Sequence, residues 1–249
     1  MAFYRAEPAM QEHLVGLIDR FADQGRPGLH EQIAVSWVRY DQANLSTGSG
    51  FGAAWADQKP LYPASVVKLV YAVAVEAWLQ KGLLLETAEL RRAVNDMIAI
   101  SSNDATGLVV DCLTGTSSGP DLQGEAWVSW QRQRQLVNEW LSDFGWGEFE
   151  RVNCCQKTWG GGPYGREQRF YGENNSNRNA LTTASVSRLL EAVMTDALLS
   201  PPACHRLRSA LARSLDQGER EADPENQVDG FLGEGLPAKS RLWSKAGWM

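Results

Sequence analysis

The chain has 249 residues, of which 43% are hydrophobic and 22% charged, and its formal net charge is −6. That length and apolar content are enough for one large domain, or two small ones, to bury a core without disulfide or metal staples. The acidic balance and the lack of a long basic run argue against nucleic acid or an anionic membrane as partners. No stretch approaches the roughly 18 apolar residues that a membrane span needs. Residues 1–11 show no basic segment leading into an apolar one, so no secretory signal is expected and the chain as given reads as cytoplasmic.

In chain order, Leu14, Val15, Leu17, Ile18 and Phe21 recur at helical spacing, so residues 10–21 predict an amphipathic helix. Residues 33–40 are β-branched and aromatic with partial alternation, a strand pattern. A polar, Gly- and Ser-rich turn follows at 41–50, and 51–56 reads as the returning strand. Residues 66–80 are apolar on nearly every side, which is the mark of a helix buried in the core. Gly82 is placed to terminate it. Two further helices are expected over 86–100 and 104–112. Residues 123–144 form one amphipathic pattern through Trp127, Trp130, Val137, Trp140 and Leu141. From 147 to 179 the chain is irregular around Gly160-Gly161-Gly162-Pro163, and a loop this long within a domain is functional or disordered. Thr183 is the expected cap of a helix over 184–194. Leu199-Ser200-Pro201-Pro202 opens another helix running to about 215. Residues 217–226 are charged and expected to be exposed, and a strand is expected from 242 onward. No internal repeat or low-complexity tract is present.

Cys112, Cys154, Cys155 and Cys204 lack metal-ligand spacing and read as free thiols in a reducing compartment. His13, His30 and His205 are scattered, none beside a nucleophile candidate, which leaves a Ser-His-Asp triad without support. Neither a metal nor any other cofactor is expected.

Three short motifs carry the chemistry. In Ser65-Val66-Val67-Lys68, positions i and i+3 share one helix face, so the amine can approach the hydroxyl. Pro63-Ala64 supplies a turn before the helix. Ser65 would therefore stand at a helix N-terminus, where free N–H groups favour developing negative charge. A serine hydroxyl needs a base to become nucleophilic, and a lysine serves if burial or neighbouring cations lower its pKa. An N-capping serine and an ordinary lysine would give the same four residues. What favours chemistry is that an apolar helix keeps one lysine in its first turn. The second motif, Ser101-Ser102-Asn103, taken alone, is equally a helix-capping turn. The third is Lys245-Ala246-Gly247, on the expected last strand. Lys157-Thr158-Trp159-Gly160 looks like the third motif but lies in the irregular loop and is read as a decoy.

In order and spacing, these motifs resemble the Ser-x-x-Lys, Ser-x-Asn and Lys-Thr-Gly set of the penicillin-recognising serine hydrolases, the class A β-lactamases and penicillin-binding proteins. Asn179-Ala180-Leu181-Thr182-Thr183-Ala184 and the run from Leu199 through Leu236-Pro237 resemble corresponding stretches of class A enzymes, so the likeness extends from about residue 10 to the end. It implies a mixed α/β (α+β) transpeptidase-like fold: an antiparallel sheet flanked by helices, plus an all-α lobe. One domain would fill 1–249, with a sheet lobe over 1–62 and 228–249 and a mainly helical lobe over 63–227.

The resemblance also assigns roles. Ser65 would be the nucleophile, Lys68 its base, Ser101 a proton shuttle and Asn103 an anchor for substrate and lysine. Lys245 would stabilise charge. Gly247 would let substrate lie against the backbone, and the Trp248 N–H would join that of Ser65 in an oxyanion hole. Glu173-Asn174-Asn175-Ser176-Asn177 echoes the Glu-x-x-x-Asn of deacylating loops, and an exposed loop glutamate is its plain alternative. Ala246 replaces the usual Thr or Ser, whose hydroxyl helps hold a substrate carboxylate. The function implied is hydrolysis of a small-molecule β-lactam, or a related amide or ester, through an acyl-enzyme. The alternatives are a D,D-peptidase or esterase on the same fold, or a non-catalytic binding or sensor domain. The family's sheet continues beyond its third motif, whereas this chain stops at Met249. A truncated form is therefore expected, with an incomplete sheet and either a poorly anchored Lys245 or a third motif far from Ser65.

Overall fold

The computed structural model describes residues 3–41, 43 and 45–248. A short strand, β1 (Arg5–Ala6), leads into helix α1 (Pro8–Asp23), a single-turn helix α2 (Leu29–Gln32) and the hairpin β2 (Val35–Arg39) and β3 (Phe51–Trp55). Central β3 pairs in parallel with β1 and antiparallel with β2, placing Val35 opposite Trp55 and Arg39 opposite Phe51. The apolar stripe of α1, Met10, Leu14 and Ile18, packs on Ala53 of the sheet. Gln11 reinforces the contact by bonding both the N–H and the C=O of Ala54, each at 3.1 Å.

A 3-10 turn (Ala64–Val66) opens into α3 (Val67–Gln80), in which every residue from Val67 to Trp78 is buried. Gly82 follows with a φ of +69°, a left-handed conformation that ends the helix without a Cβ penalty. Helices α4 (Ala88–Ala99) and α5 (Asn103–Thr114) pack against α3. Each fully buried Val or Leu side chain there contributes about 1.5–3 kcal/mol. Within that apolar mass α3 also carries two side chains of the charged types, Lys68 and Glu76. Glu76 is neutralised by Arg91 and by Arg206 at 2.6 Å.

The pattern over 123–144 is two helices, α6 (Gly124–Arg134) and α7 (Leu136–Ser142). They part where the Gln135 N–H takes an i−3 bond to Arg132 O. At the same point the Arg134 side chain turns inward beneath Trp130 to meet Glu167 at 3.0 Å. Nor is the long loop structureless. It contains α8 (Arg166–Tyr171) and 3-10 turns at Gly147–Phe149 and Glu173–Asn175. Lys157 lies in its buried ion network, bonded to Asp111 at 2.7 Å and Ser118 at 2.8 Å. The Lys157-Thr158-Trp159-Gly160 lookalike thus ties the loop to α5.

Helix α9 (Thr183–Met194) is capped by Thr182, one residue earlier than expected, in a reciprocal capping box with Ser185. Helix α10 (Pro201–Leu211) stops short of 215 because Ala212–Arg213 leave it as strand β4. After the exposed α11 (Gln217–Ala222), β5 (Leu242–Trp243) pairs antiparallel with β4. The last strand is thus two residues long and ends before Lys245. Among the described residues, β4 and β5 form a sheet separate from β1–β3–β2, and no strand joins the two. Among the described residues, no helix is long and apolar enough to cross a membrane. All four cysteines are free.

Candidate active site

Ser65 lies half-buried in the 3-10 turn at the head of α3. The residue before it, Ala64, has a φ of +45°, an uncommon conformation for a residue with a Cβ. One turn on, Lys68 is fully buried. Its three donors all go to the junction of α4 with α5: Ser101 O at 2.5 Å, Ser101 Oγ at 3.2 Å and, at the first residue of α5, Asn103 Oδ1 at 2.9 Å. Ser101 itself has a φ of +58°. The middle residue of the motif, Ser102, caps α5 by accepting the Ala105 N–H at 3.1 Å. Strained backbone thus lies at both segments that face Lys68, as happens where surrounding structure over-determines a local geometry. Burial pulls the Lys68 amine down from 10.5 to about 8.

The third motif closes on the same point. Lys245 Nζ donates to Ser101 Oγ at 3.0 Å, to Gln227 Oε1 at 2.7 Å and to its neighbour's carbonyl, Ala246 O, at 2.7 Å. Burial, then the Lys68 charge, then that of Arg213, pull this amine down to about 7. A Cβ on Gly247 would lie 2.7 Å from Pro63 O and 3.0 Å from Ser65 N, so only glycine lets this segment press onto the Ser65 turn. The expectation that Lys245 would be poorly anchored, or its motif far from Ser65, is therefore corrected. The anchors come from elsewhere than neighbouring strands. Arg213 bonds Ile98 O at 2.9 Å and Ser244 O at 3.1 Å, and the Ser244 N–H bonds Leu211 O at 2.9 Å. The remaining anchor is Gln227, which the sequence reading missed. It stands beside a charged, exposed run, in no motif and on no periodic face.

One hydroxyl, that of Ser101, thus lies between two amines of lowered basicity. It can accept a proton-bearing N–H from one and donate its own hydrogen to the other when that amine is neutral. The arrangement can pass a proton between lysines and hold positive charge beside a nucleophile in a water-poor setting. On the Lys245 side, a cleft of about 400 Å³ is lined by Ser101, Gln227, Lys245, Ala246, Phe231 and Trp248, the last largely exposed. Asn103 borders a second hollow with Trp159 and Tyr164. Glu173 stands apart: it is exposed in its 3-10 turn and, among the described residues, no side-chain hydrogen bond links it to Ser65, Lys68 or Asn103.

A mixed α/β fold in which a buried helix lysine and a second lysine beyond the last strand meet at one loop serine, with Gly247 pressed on the turn that carries Ser65, defines a class of protein, the β-lactamase-like fold. The chain belongs to the beta-lactamase enzyme family, whose sequence profile matches residues 85–249. That span takes in the second and third motifs. The fold is similar to that of the beta-lactamase from Sphaerobacter thermophilus DSM 20745, at 16% identity and a TM-score of 0.59, over 94% of this chain and 79% of that one. It is also similar to a mutant of the class A beta-lactamase of the last common ancestor of Gram-negative bacteria, at 18% identity and a TM-score of 0.57, covering 96% and 79% of the two chains. PBP-A is a third, at 14% identity and a TM-score of 0.55, covering 95% and 76%. No curated protein matches the sequence.

Proposed function

We propose that this chain is a serine hydrolase that acts through an acyl-enzyme on a β-lactam or a related small amide or ester. The observation that carries the reading is the chain of contacts from Lys68 through the Ser101 hydroxyl to Lys245, closed against the Ser65 turn by Gly247. In this reading neutral Lys68 removes the Ser65 hydroxyl proton as Oγ bonds to the substrate carbonyl carbon. The carbonyl π electrons move to oxygen, and the oxyanion is met by the N–H groups of Ser65 and Trp248. On collapse the C–N or C–O bond breaks, and the leaving group takes its proton from Lys68 by way of Ser101. Lys245 contributes positive charge, and Asn103 holds both Lys68 and the substrate amide.

The exposure of Glu173 and the missing hydroxyl at Ala246 favour a second reading, in which acylation outpaces hydrolysis as in a D,D-peptidase or esterase. Labelling with a fluorescent penicillin and a fluorophosphonate tests the proposal. Wild type should be labelled, and Ser65→Ala, which removes the nucleophile, should lose labelling by many decades while keeping its fold. Equal labelling of a folded Ser65→Ala protein would overturn the assignment. The burst and steady-state rates of wild type then separate the two readings.

A further inference from the structure

We propose that Gln227 is a positioning residue that holds Lys245 and the third motif in register with Ser101. This rests on the acyl-enzyme reading above. Gln227 is buried in the segment between α11 and β5, and its amide is fully used. Nε2 donates to Ile98 O at 2.9 Å and to Ala99 O at 2.7 Å. These are carbonyls of the last turn of α4, which have no partner within their own helix. Oε1 accepts from Lys245 Nζ at 2.7 Å and from the Ala246 N–H at 2.9 Å.

The direction of the amide follows from these partners. Reversed, it would set oxygen against two carbonyls and N–H groups against an amine and an N–H. One side chain therefore connects the end of α4, immediately before Ser101, to the two residues that begin the third motif. The backbone pairing of β5 stops at Trp243, so among the described residues neither Lys245 nor Ala246 has a ladder partner. The Gln227 oxygen takes the Ala246 N–H. It also orients the Lys245 amine so that another of its hydrogens reaches Ser101 Oγ.

The charged groups facing Lys245 are Lys68 from α3 and Arg213 from β4, with Glu225 and Asp229 on the rim of the shared cleft. Gln227 is a neutral acceptor among them, so substitutions there should retune Lys245 as well as displace it. The test compares the full chain with Gln227→Met and Gln227→Glu. Lys245 is followed directly by a ¹³Cε NMR titration, its signal assigned by loss in Lys245→Arg, and acylation is followed with the fluorescent penicillin.

Gln227→Met removes an acceptor from the amine. Its Lys245 titration should move to lower pH and its acylation rate should fall on the order of 10- to 100-fold, the range for a lost hydrogen bond to a charged group. Gln227→Glu keeps the acceptor and adds a negative charge. Its titration, and with it the alkaline limb of acylation, should move to higher pH. Both variants lose bonds to Ile98 and Ala99, so both should melt lower. A merely structural glutamine would give those melting losses with the Lys245 titration and the acylation rate of Gln227→Met unmoved, and that result overturns the inference. If Gln227→Met does not fold, Gln227→Asn decides: its shorter amide withdraws from the Lys245 amine, so the Lys245 titration should move to lower pH and acylation should slow, and neither changing overturns the inference. A wild type that no probe labels would sink the acyl-enzyme reading, while the NMR arm still decides the role of Gln227.

Discussion

Replacing Lys68 by methionine should flatten the pH dependence of stability, and the structure sets both sign and size. The amine is fully buried in α3, and its pKa falls from 10.5 in the unfolded chain to about 8 in the fold. Between those values the unfolded chain binds more protons than the folded one, so stability rises with pH across that window. Below about pH 8 the fold carries the full cost of the charged amine. Above about 10.5 it carries none. At about 1.36 kcal/mol for each pH unit, that cost is about 3 kcal/mol. Lys68→Met leaves Ser101 O and Asn103 Oδ1 without their donor, a loss of about 1–3 kcal/mol that is independent of pH. The diagnostic quantity is therefore the difference between the two proteins as pH changes, in which all shared titrations cancel. Lys245 adds to it with the same sign, because it is itself pulled down by the Lys68 charge and relaxes when that charge is gone. Urea unfolding followed by tryptophan fluorescence from pH 7 to 10.5 should show wild type gaining at least about 3 kcal/mol on the variant. Parallel curves would refute the claim that Lys68 is buried at a cost, and with it the source of its basicity.

Glu167→Gln should destabilise the fold by about 3–5 kcal/mol, because it strands the fully buried guanidinium of Arg134. The urea midpoint measures this, and adding Arg134→Met should restore part of the loss. Ala246→Thr should raise turnover of carboxylate-bearing β-lactams, since a charged hydrogen bond contributes about 1.5–3 kcal/mol. Unchanged cephalosporin turnover in that variant would show that carboxylate recognition is not what limits the rate.

The parts of the fold that the sequence predicts are those with a periodic signature. Helix α3 is legible because apolar residues surround it on all sides, and the β2–β3 hairpin because a β-branched and aromatic run and a second run bounded by Phe51 and Trp55 flank a polar turn. Two-residue strands such as β1 and β4 carry no period and were invisible. The split at Gln135 was hidden for a different reason. The hydrophobic stripe of α6 and α7 is continuous, and the break answers to a single inward arginine whose partner, Glu167, is 33 residues away. The cap of α9 fell on Thr182 rather than Thr183 because two adjacent threonines present the same chemistry, and only the register with Ser185 decides between them.

The site divides along the same line. Ser65 with Lys68, Ser101 with Asn103, and Lys245 with Gly247 could be proposed because each pair has a spacing that its chemistry requires. Gln227 has none. A side-chain amide that bridges the end of α4 to the start of the third motif depends on three segments meeting in space, 98–99, 227 and 245–246. No local pattern encodes such a meeting. This is also why the position of Lys245 was misjudged. Strand neighbours are the usual means of fixing a strand-end lysine, and from their absence a loose lysine follows. Burial works the other way. Once Gly247 presses the segment onto the Ser65 turn, Lys245 and Ala246 are partly shielded from water, and an N–H left unpaired there would cost up to about 1–3 kcal/mol. That N–H therefore needs an acceptor, and among the described residues Gln227 is the side chain that reaches it.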